Sequence, residues 1–266
     1  MQDKEPEEFR ENTSIFQIWL LFRKNTIALF SFYLLALLTL TALFSSWIAP
    51  YSDNTQFVGQ ELMPPSWVDK GQIAFFFGSD DIGRDILSRL IMGTRYTLGS
   101  SLLVLIATAL IGGALGIIAG MLKGIKARFM GHIFDAFLSL PILLIAIIIS
   151  TLMEPSLWNA MFATLFAILP YFIHAIYRAI QEELKKDYVI MLKLEGISNW
   201  TLLKTTILPN ITVVYIQEIS RAFIVAVLDI SALSFISLGA QRPTPEWGAM
   251  IKDSLERSEE HTSELQ

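Results

Sequence analysis

A chain of 266 residues that is 53% apolar and only 17% charged, with a mean hydropathy of +0.51, has the balance of a polytopic membrane protein. It contains no cysteine, which excludes disulfides, thiolate metal sites and cysteine nucleophiles. The net charge of −5 decides little, because in a membrane protein the placement of Lys and Arg matters more than their sum.

The stretch from Met1 to Glu11 is acidic and polar, unlike the basic start of a signal peptide, so no cleavage is expected. The apolar run 15–22 is too short to span. With Arg23 and Lys24 behind it, it either lies along the interface or lengthens the first helix. A spanning helix needs about 20 mostly apolar residues. Residues 26–48 and 96–122 qualify without a charge, 136–153 follows Asp135, 155–177 is the fourth, and 210–240 carries Glu218, Arg221 and Asp229. Each is expected to be helical, because lipid cannot satisfy open backbone groups. The second stretch repeats Gly112, Gly116 and Gly120, beside Gly113 and Ala119, a small-residue stripe that lets a neighbouring helix approach closely.

Placing the N-terminus inside puts Lys4, Arg10, Arg23, Lys24, Lys123, Lys126, Arg128, Arg178, Lys185, Lys186, Lys193 and Lys204 in the cytoplasm. Lys70, Arg84, Arg89, Arg95, Arg242 and Lys252 then fall outside, the smaller set despite the long outer loop 49–95, and the positive-inside rule favours this orientation. Five spans leave the C-terminus outside. Residues 257–266 read as the in-frame translation of a sequencing adapter, AGATCGGAAGAGCACACGTCTGAACTCCAG. The expectation is a native sequence that diverges at about Glu256, with a sixth span to follow; His261 and its neighbours carry no functional argument.

Charges inside a bilayer are costly and face a bundle interior or a cavity. Glu218 and Arg221, three residues apart, can neutralise each other across a turn and reach cytoplasmic water. Alternatively, with Asp229 and His174, they form the relay of a proton-coupled carrier. The basic stretch from Gly120 to Lys126 does not fit a phosphate-binding P-loop, so if ATP drives transport it is hydrolysed on another chain. Nothing resembles a nucleophile–base set or a metal cluster, and neither enzymatic activity nor a nucleic-acid partner is expected.

Residues 181–195 read as a helix with Leu184, Tyr188, Met191 and Leu192 on one face, and with Glu182, Glu183, Lys185, Lys186 and Lys193 on the remainder. Gly196 can end that helix in the left-handed conformation. Asn199 or Thr201 can cap a short second helix, which Pro209 closes. Such a compact knob is either a docking element for a partner's groove or a loop lying on the membrane surface.

Three segments carry a resemblance. Gly196, Leu208 and Pro209 match, in spacing, the cytoplasmic Glu-Ala-Ala … Gly … Leu-Pro loop of permease subunits in binding-protein-dependent ABC importers, and Asp187-Tyr188-Val189 resembles the lead-in of peptide importers. Ile190, Met191 and Leu192 stand where Glu-Ala-Ala would, which removes any specific polar contact from position 190. The block from Gly78 to Leu90, with Asp80, Asp81, Gly83, Arg84 and Asp85, is similar to the Gly-Thr-Asp-x-x-Gly-Arg-Asp block of the second ("C") subunit of dipeptide/oligopeptide permeases, Ser79 replacing Thr. The segment from Leu238 to Met250 resembles the stretch ahead of that family's last span. The Gln56-Phe57 … Pro64-Pro65-Ser66-Trp67 loop and Leu238-Gly239-Ala240-Gln241 look most like its branch in systems of sensitivity to antimicrobial peptides.

Together these segments extend the resemblance over nearly all of residues 15–256. It implies an all-α ABC importer permease fold, normally of six transmembrane helices with five present here, multi-pass in the bacterial inner membrane with a cytoplasmic N-terminus. Residues 1–25 would be cytoplasmic, 26–48 the first span, 49–95 a periplasmic loop and 96–256 the permease core. Within that core the loop 179–209 would couple to the ATPase through Leu184, Tyr188, Met191, Leu192, Gly196, Trp200, Leu208 and Pro209. The implied partners are a second permease subunit, two ATPase subunits or domains and a periplasmic peptide-binding protein. ATP and magnesium would lie on the ATPases and no cofactor in this chain. The substrate would be a peptide, a cationic antimicrobial peptide being one candidate. Alternating charges let the Asp80–Arg89 block act as an internal clasp or, alternatively, contact the peptide directly. The competing class is an autonomous ion- or proton-coupled carrier or channel.

Overall fold

The computed structural model describes residues 15–52, 59–122 and 138–264. These are helical apart from loops and one isolated antiparallel bridge, Ser79 to Asp85. In chain order the helices are α1 (Ile15–Lys24), α2 (Thr26–Ile48), α3 (Ile86–Gly120), α4 (Ile142–Thr151), α5 (Leu157–Glu183), α6 (Asp187–Leu194), α7 (Asn199–Phe235) and α8 (Trp247–Glu264). Of these, α2, α3, α5 and α7 are long and apolar enough to cross a membrane. The expected span 136–153 begins outside the described residues; its described part, 138–153, contains the 10-residue α4, entered from Pro141. Lys4, Arg10, Gln56, Phe57, Lys123, Lys126, Arg128 and Asp135, used above for orientation and resemblance, also lie outside the described residues.

Two spans start earlier than hydropathy predicts, and α5 runs on past Tyr177 to Glu183. Helix α3 starts at Ile86 rather than Tyr96, because Asp85 caps it by accepting the Ser88 N–H at 2.8 Å and because the buried Arg89 finds carboxylates close by. Helix α7 starts at Asn199, so the expected short second helix of the knob and the last span are one element. Pro209 does not close it. The turn before it, Leu203–Ile207, is a π turn in which the Leu208 N–H bonds the Leu203 carbonyl five residues back. That wider turn makes room for a proline ring that would otherwise strike the preceding carbonyl, and Pro209 then sits in the first turn of the following α-helical stretch, where its missing N–H costs little.

Helices α3 and α5 run side by side in the same direction. Gly112 faces Phe172, Gly116 faces Ile176 and Gly120 faces Ile180, and a Cβ on Gly116 would stand 2.8 Å from Ile176 Cβ. In lipid this contact gains little from the hydrophobic effect; close van der Waals packing holds the pair. Helix α7 crosses both in the opposite sense. Its Tyr215 hydroxyl donates to the Ala109 carbonyl (2.7 Å) within the π turn Thr108–Gly112 of α3. Phe172, Ile176, Ile180, Ile207, Ile211, Ala226 and Ile230 form the buried seam between α5 and α7. Outside this bundle, α2 lies against α3 with only Ser45 buried, and presents Phe30, Leu43 and Trp47 outward.

Candidate functional site

Two polar assemblies sit at opposite ends of the bundle. At the end where α3 and α5 finish, the chain leaves α5 at Glu183, turns through Leu184-Lys185-Lys186, and forms α6. The continuous helix expected over 181–195 is thus broken, and the break re-phases its faces. Val189 is the fully buried residue of α6, with Leu184, Leu192 and Ile197 packed against the same core. Tyr188 and Met191, expected on one face with them, are 42% and 60% exposed, and Ile190, Leu194 and Trp200 stand out beside them. Leu208 is half-buried against the core and Pro209 is exposed.

Gly196 takes φ +84°, as expected for a left-handed helix end. Its N–H bonds the Lys193 carbonyl (3.1 Å) and the Ile197 N–H bonds the Leu192 carbonyl (3.2 Å), a Schellman closure. Ser198, rather than Asn199 or Thr201, caps the next helix by accepting the Thr201 N–H at 3.2 Å. The knob is therefore a stiff hairpin of two capped helices rooted in the core, with an apolar outer face of Ile190, Met191, Leu194 and Trp200.

Beneath this hairpin lies a side-chain cluster that sequence reasoning missed. Glu183, assigned above to the polar remainder, is only 5% exposed. Its Oε1 accepts from the Tyr188 hydroxyl and from Asn210 Nδ2 (3.0 Å), while Lys186 Nζ lies 2.7 Å from Oε2. Asn210 Nδ2 also reaches the Tyr188 oxygen at 2.8 Å. Two residues earlier, Gln181 Nε2 donates to the Gly120 and Leu122 carbonyls (2.7 and 3.2 Å), closing the end of α3. The available signal was a carboxylate three residues before a lysine at a helix end, weak without knowledge of the fold.

A groove of about 550 Å³ opens beside this cluster between α5 and α7; His174, Arg178, Glu182, Asn210, Glu218 and Arg221 line part of it. Glu218 and Arg221 do pair, at 3.2 Å, with Arg221 mostly in the open. Asp229 is buried and stands apart from this groove, so the structure does not bring it together with His174. Its Oδ2 has no hydrogen-bond partner among the described residues. Nor, among the described residues, is any group of His, Asp and Glu placed to hold a metal ion.

At the other end Gly78 (φ +82°) and Gly83 (φ +68°) shape a tight loop around Asp80. Asp80 Oδ1 accepts the Ile82 and Arg84 N–H groups (3.1 and 2.9 Å), and Oδ2 lies 2.6 Å from Arg84 Nε and 3.7 Å from Arg89 Nε. The block does hold itself together by alternating charges. It is also tied to the segment before α8: Arg242 bridges Asp81 (2.8 Å) and Asp253 (3.1 Å), and Asp253 approaches Arg89 at 3.9 Å. Burial works against the Arg242 charge, but Asp253 and Asp81 outweigh it and raise its pKa above the ordinary value.

Glu246, wholly buried, fastens three helices at this end. It accepts from Thr97 Oγ1 of α3 (3.0 Å), Ser231 Oγ of α7 (2.9 Å) and the Ala249 N–H of α8 (3.1 Å). Its weight was not legible in the sequence, although it lies within the segment singled out there.

Residues 112–256 match the family described as binding-protein-dependent transport system inner membrane component, and residues 15–65 match the N-terminal TM domain of oligopeptide transport permease C. The chain is 84% identical over 256 residues to the Peptide transport system permease protein SapC of Haemophilus influenzae, covering 96% of this chain and 87% of that protein. It is 44% identical over 238 residues to the protein of the same name from Escherichia coli, covering 90% and 80% of the two. To the Dipeptide transport system permease protein DppC of E. coli it is 36% identical over 244 residues, covering 92% and 81%. The chain belongs to the binding-protein-dependent transport system inner membrane component family: it is a multi-pass membrane permease, one subunit of a multi-component transporter and not itself a catalytic one.

Proposed function

We infer that this chain is one of two permease subunits of an ATP-driven peptide importer in the bacterial inner membrane. Its N-terminus and knob face the cytoplasm, and its Asp80 clasp faces the periplasm, where a peptide-binding protein delivers the substrate. ATP and magnesium belong to two ATPase subunits or domains outside this chain. The peptide substrate is supported by relatives named for peptide and dipeptide transport. Residues 1–25 lie in the cytoplasm, 49–95 in the periplasm, and 179–209 form the coupling loop within the core 96–256.

One observation carries the reading. A lone surface loop has no reason to be capped at both helix ends, anchored through buried Val189 and Leu202, and yet leave Met191, Leu194 and Trp200 at 60%, 79% and 73% exposure. Such a patch on a stiff mount suits a partner's groove, and its aromatic and methionine side chains suit a docking core. The absence of cysteine supplies the test. A single cysteine, Ser198→Cys, crosslinks to an ATPase subunit in membranes with a yield that changes with ATP, and Trp200→Ala weakens the crosslink without lowering permease levels. Peptide uptake without any such crosslink would return the autonomous carrier to first place.

A further inference from the structure

We propose that Glu183 is the positioning residue through which movement of the knob is delivered to the spans. It rests on the docking of the knob onto an ATPase. One carboxylate oxygen of Glu183 takes both the Tyr188 hydroxyl of α6 and the Asn210 amide of α7, and Asn210 closes the triangle onto Tyr188 at 2.8 Å. The same residue is the last of α5, and its other oxygen holds Lys186 in the turn that leads into the knob. Three elements that must move together meet at one buried group.

This link is polar and directional. The contacts of the knob with the core through Val189, Leu202 and Ile207 are apolar and non-directional, and can slide. The Glu183 triangle fixes an orientation, because charge-assisted hydrogen bonds lose their strength steeply with angle. Asn210 follows Pro209 directly, beyond the π turn, so the triangle grips α7 where its regular α-helical part begins. From there the helix is continuous to Phe235 at the clasp end. A push on Tyr188 is thereby applied to α5 and α7 at one level, and Gln181, two residues before Glu183, ties α3 in at the same level.

The test needs no identified peptide. In the assembled transporter in inverted and right-side-out membrane vesicles, Phe235→Cys at the far end of α7 is labelled with a membrane-impermeant maleimide, with and without ATP and vanadate. The Ser198→Cys crosslink to the ATPase is followed in parallel. Expected is a labelling rate at Phe235→Cys that changes severalfold with ATP and vanadate, a change that Glu183→Ala removes while the Ser198→Cys crosslink still forms. Glu183→Gln, which keeps an acceptor for Tyr188 and Asn210 and loses only the Lys186 pair, preserves most of the change. Tyr188→Phe combined with Asn210→Ala, two replacements at exposed positions, reproduces the loss, and adding Glu183→Ala to it has no further effect, as for groups acting as one unit. The last comparison keeps the proposal testable if Glu183→Ala alone lowers the amount of complex. An ATP response at Phe235→Cys that survives both sets of replacements overturns the proposal, and so does the absence of any response in the parent. Loss of the Ser198→Cys crosslink in the parent would instead sink the docking itself.

Discussion

Replacing Glu246 by alanine removes one acceptor from three donors that come from three different helices, at a site with 0% exposure where water cannot step in. A hydrogen bond to a charged group contributes about 1.5–3 kcal/mol, but the three losses do not add. The Thr97 and Ser231 hydroxyls can each swing to a carbonyl one turn back in their own helix, the habit Thr94 already shows toward Leu90. The Ala249 N–H has no such escape at the first turn of α8. An orphaned N–H, two weakened hydroxyl bonds and the void left by the side chain together cost about 3–5 kcal/mol. For a chain of this size that lowers the midpoint of thermal unfolding by on the order of 10 °C. Glu246→Gln keeps the shape and an oxygen for either the hydroxyls or the Ala249 N–H, though not for both, and falls between, at about 1–2 kcal/mol. Thermal melting of the detergent-solubilised chain, followed by tryptophan fluorescence, gives the ranking. A Glu246→Ala midpoint within about 2 °C of the parent, or Gln and Ala variants that melt together, would refute the assignment of Glu246 as the fastener.

Removing Asp80 leaves Arg84 and Arg89 buried without its counter-charge, so Asp80→Ala costs about 3–5 kcal/mol and lowers the same melting midpoint, whereas Lys70→Ala on the loop between α2 and α3 leaves it unchanged. At Gly248 an added Cβ would lie 2.0 Å from the Ser231 carbonyl oxygen, so Gly248→Ala forces α7 and α8 apart and reduces recovery of folded protein on size exclusion, while Gly99→Ala, which meets nothing within 4 Å, is neutral. At Gly196 there is room for a Cβ but φ is +84°, so Gly196→Ala costs only about 1–2 kcal/mol. Gly196→Pro cannot adopt that angle at all and abolishes the ATP-dependent crosslink from Ser198→Cys.

The sequence was legible wherever a local pattern decides the outcome. The glycine stripe of α3 gave its close neighbour, the Glu218–Arg221 spacing gave a pair, and Gly196 gave the end of α6. It was illegible where partners are distant in the chain. Thr97 meets Glu246 across 149 residues, and Arg242 meets Asp81 across 161, and neither pairing leaves a periodic trace. The one misread face has a clear cause. Counting four and seven residues on from Leu184 assumes an unbroken helix, and the turn at Leu184–Lys186 shifts the phase so that Val189, not Tyr188, turns inward. Likewise the early start of α3 escaped a hydropathy reading because Arg89 and Arg95 interrupt the apolar run, and the counter-charges that let Arg89 be buried, Asp80 and Asp253, are not adjacent to it in the sequence.

The π turn at Leu203–Ile207 behaves as one residue too many in an otherwise α-helical rod. Its presence uncouples the compass bearing of Trp200 from that of every residue beyond Leu208. Excising a single residue there would restore an unbroken α-helix with the Trp200 side of the knob near its present bearing, whereas straightening the turn with that residue kept would swing it by about 100° around the rod. The apolar patch would then point along a different meridian while the spans kept their places. That surplus residue lets the exposed apolar face of the knob and the bundle-facing side of one helix be aimed independently.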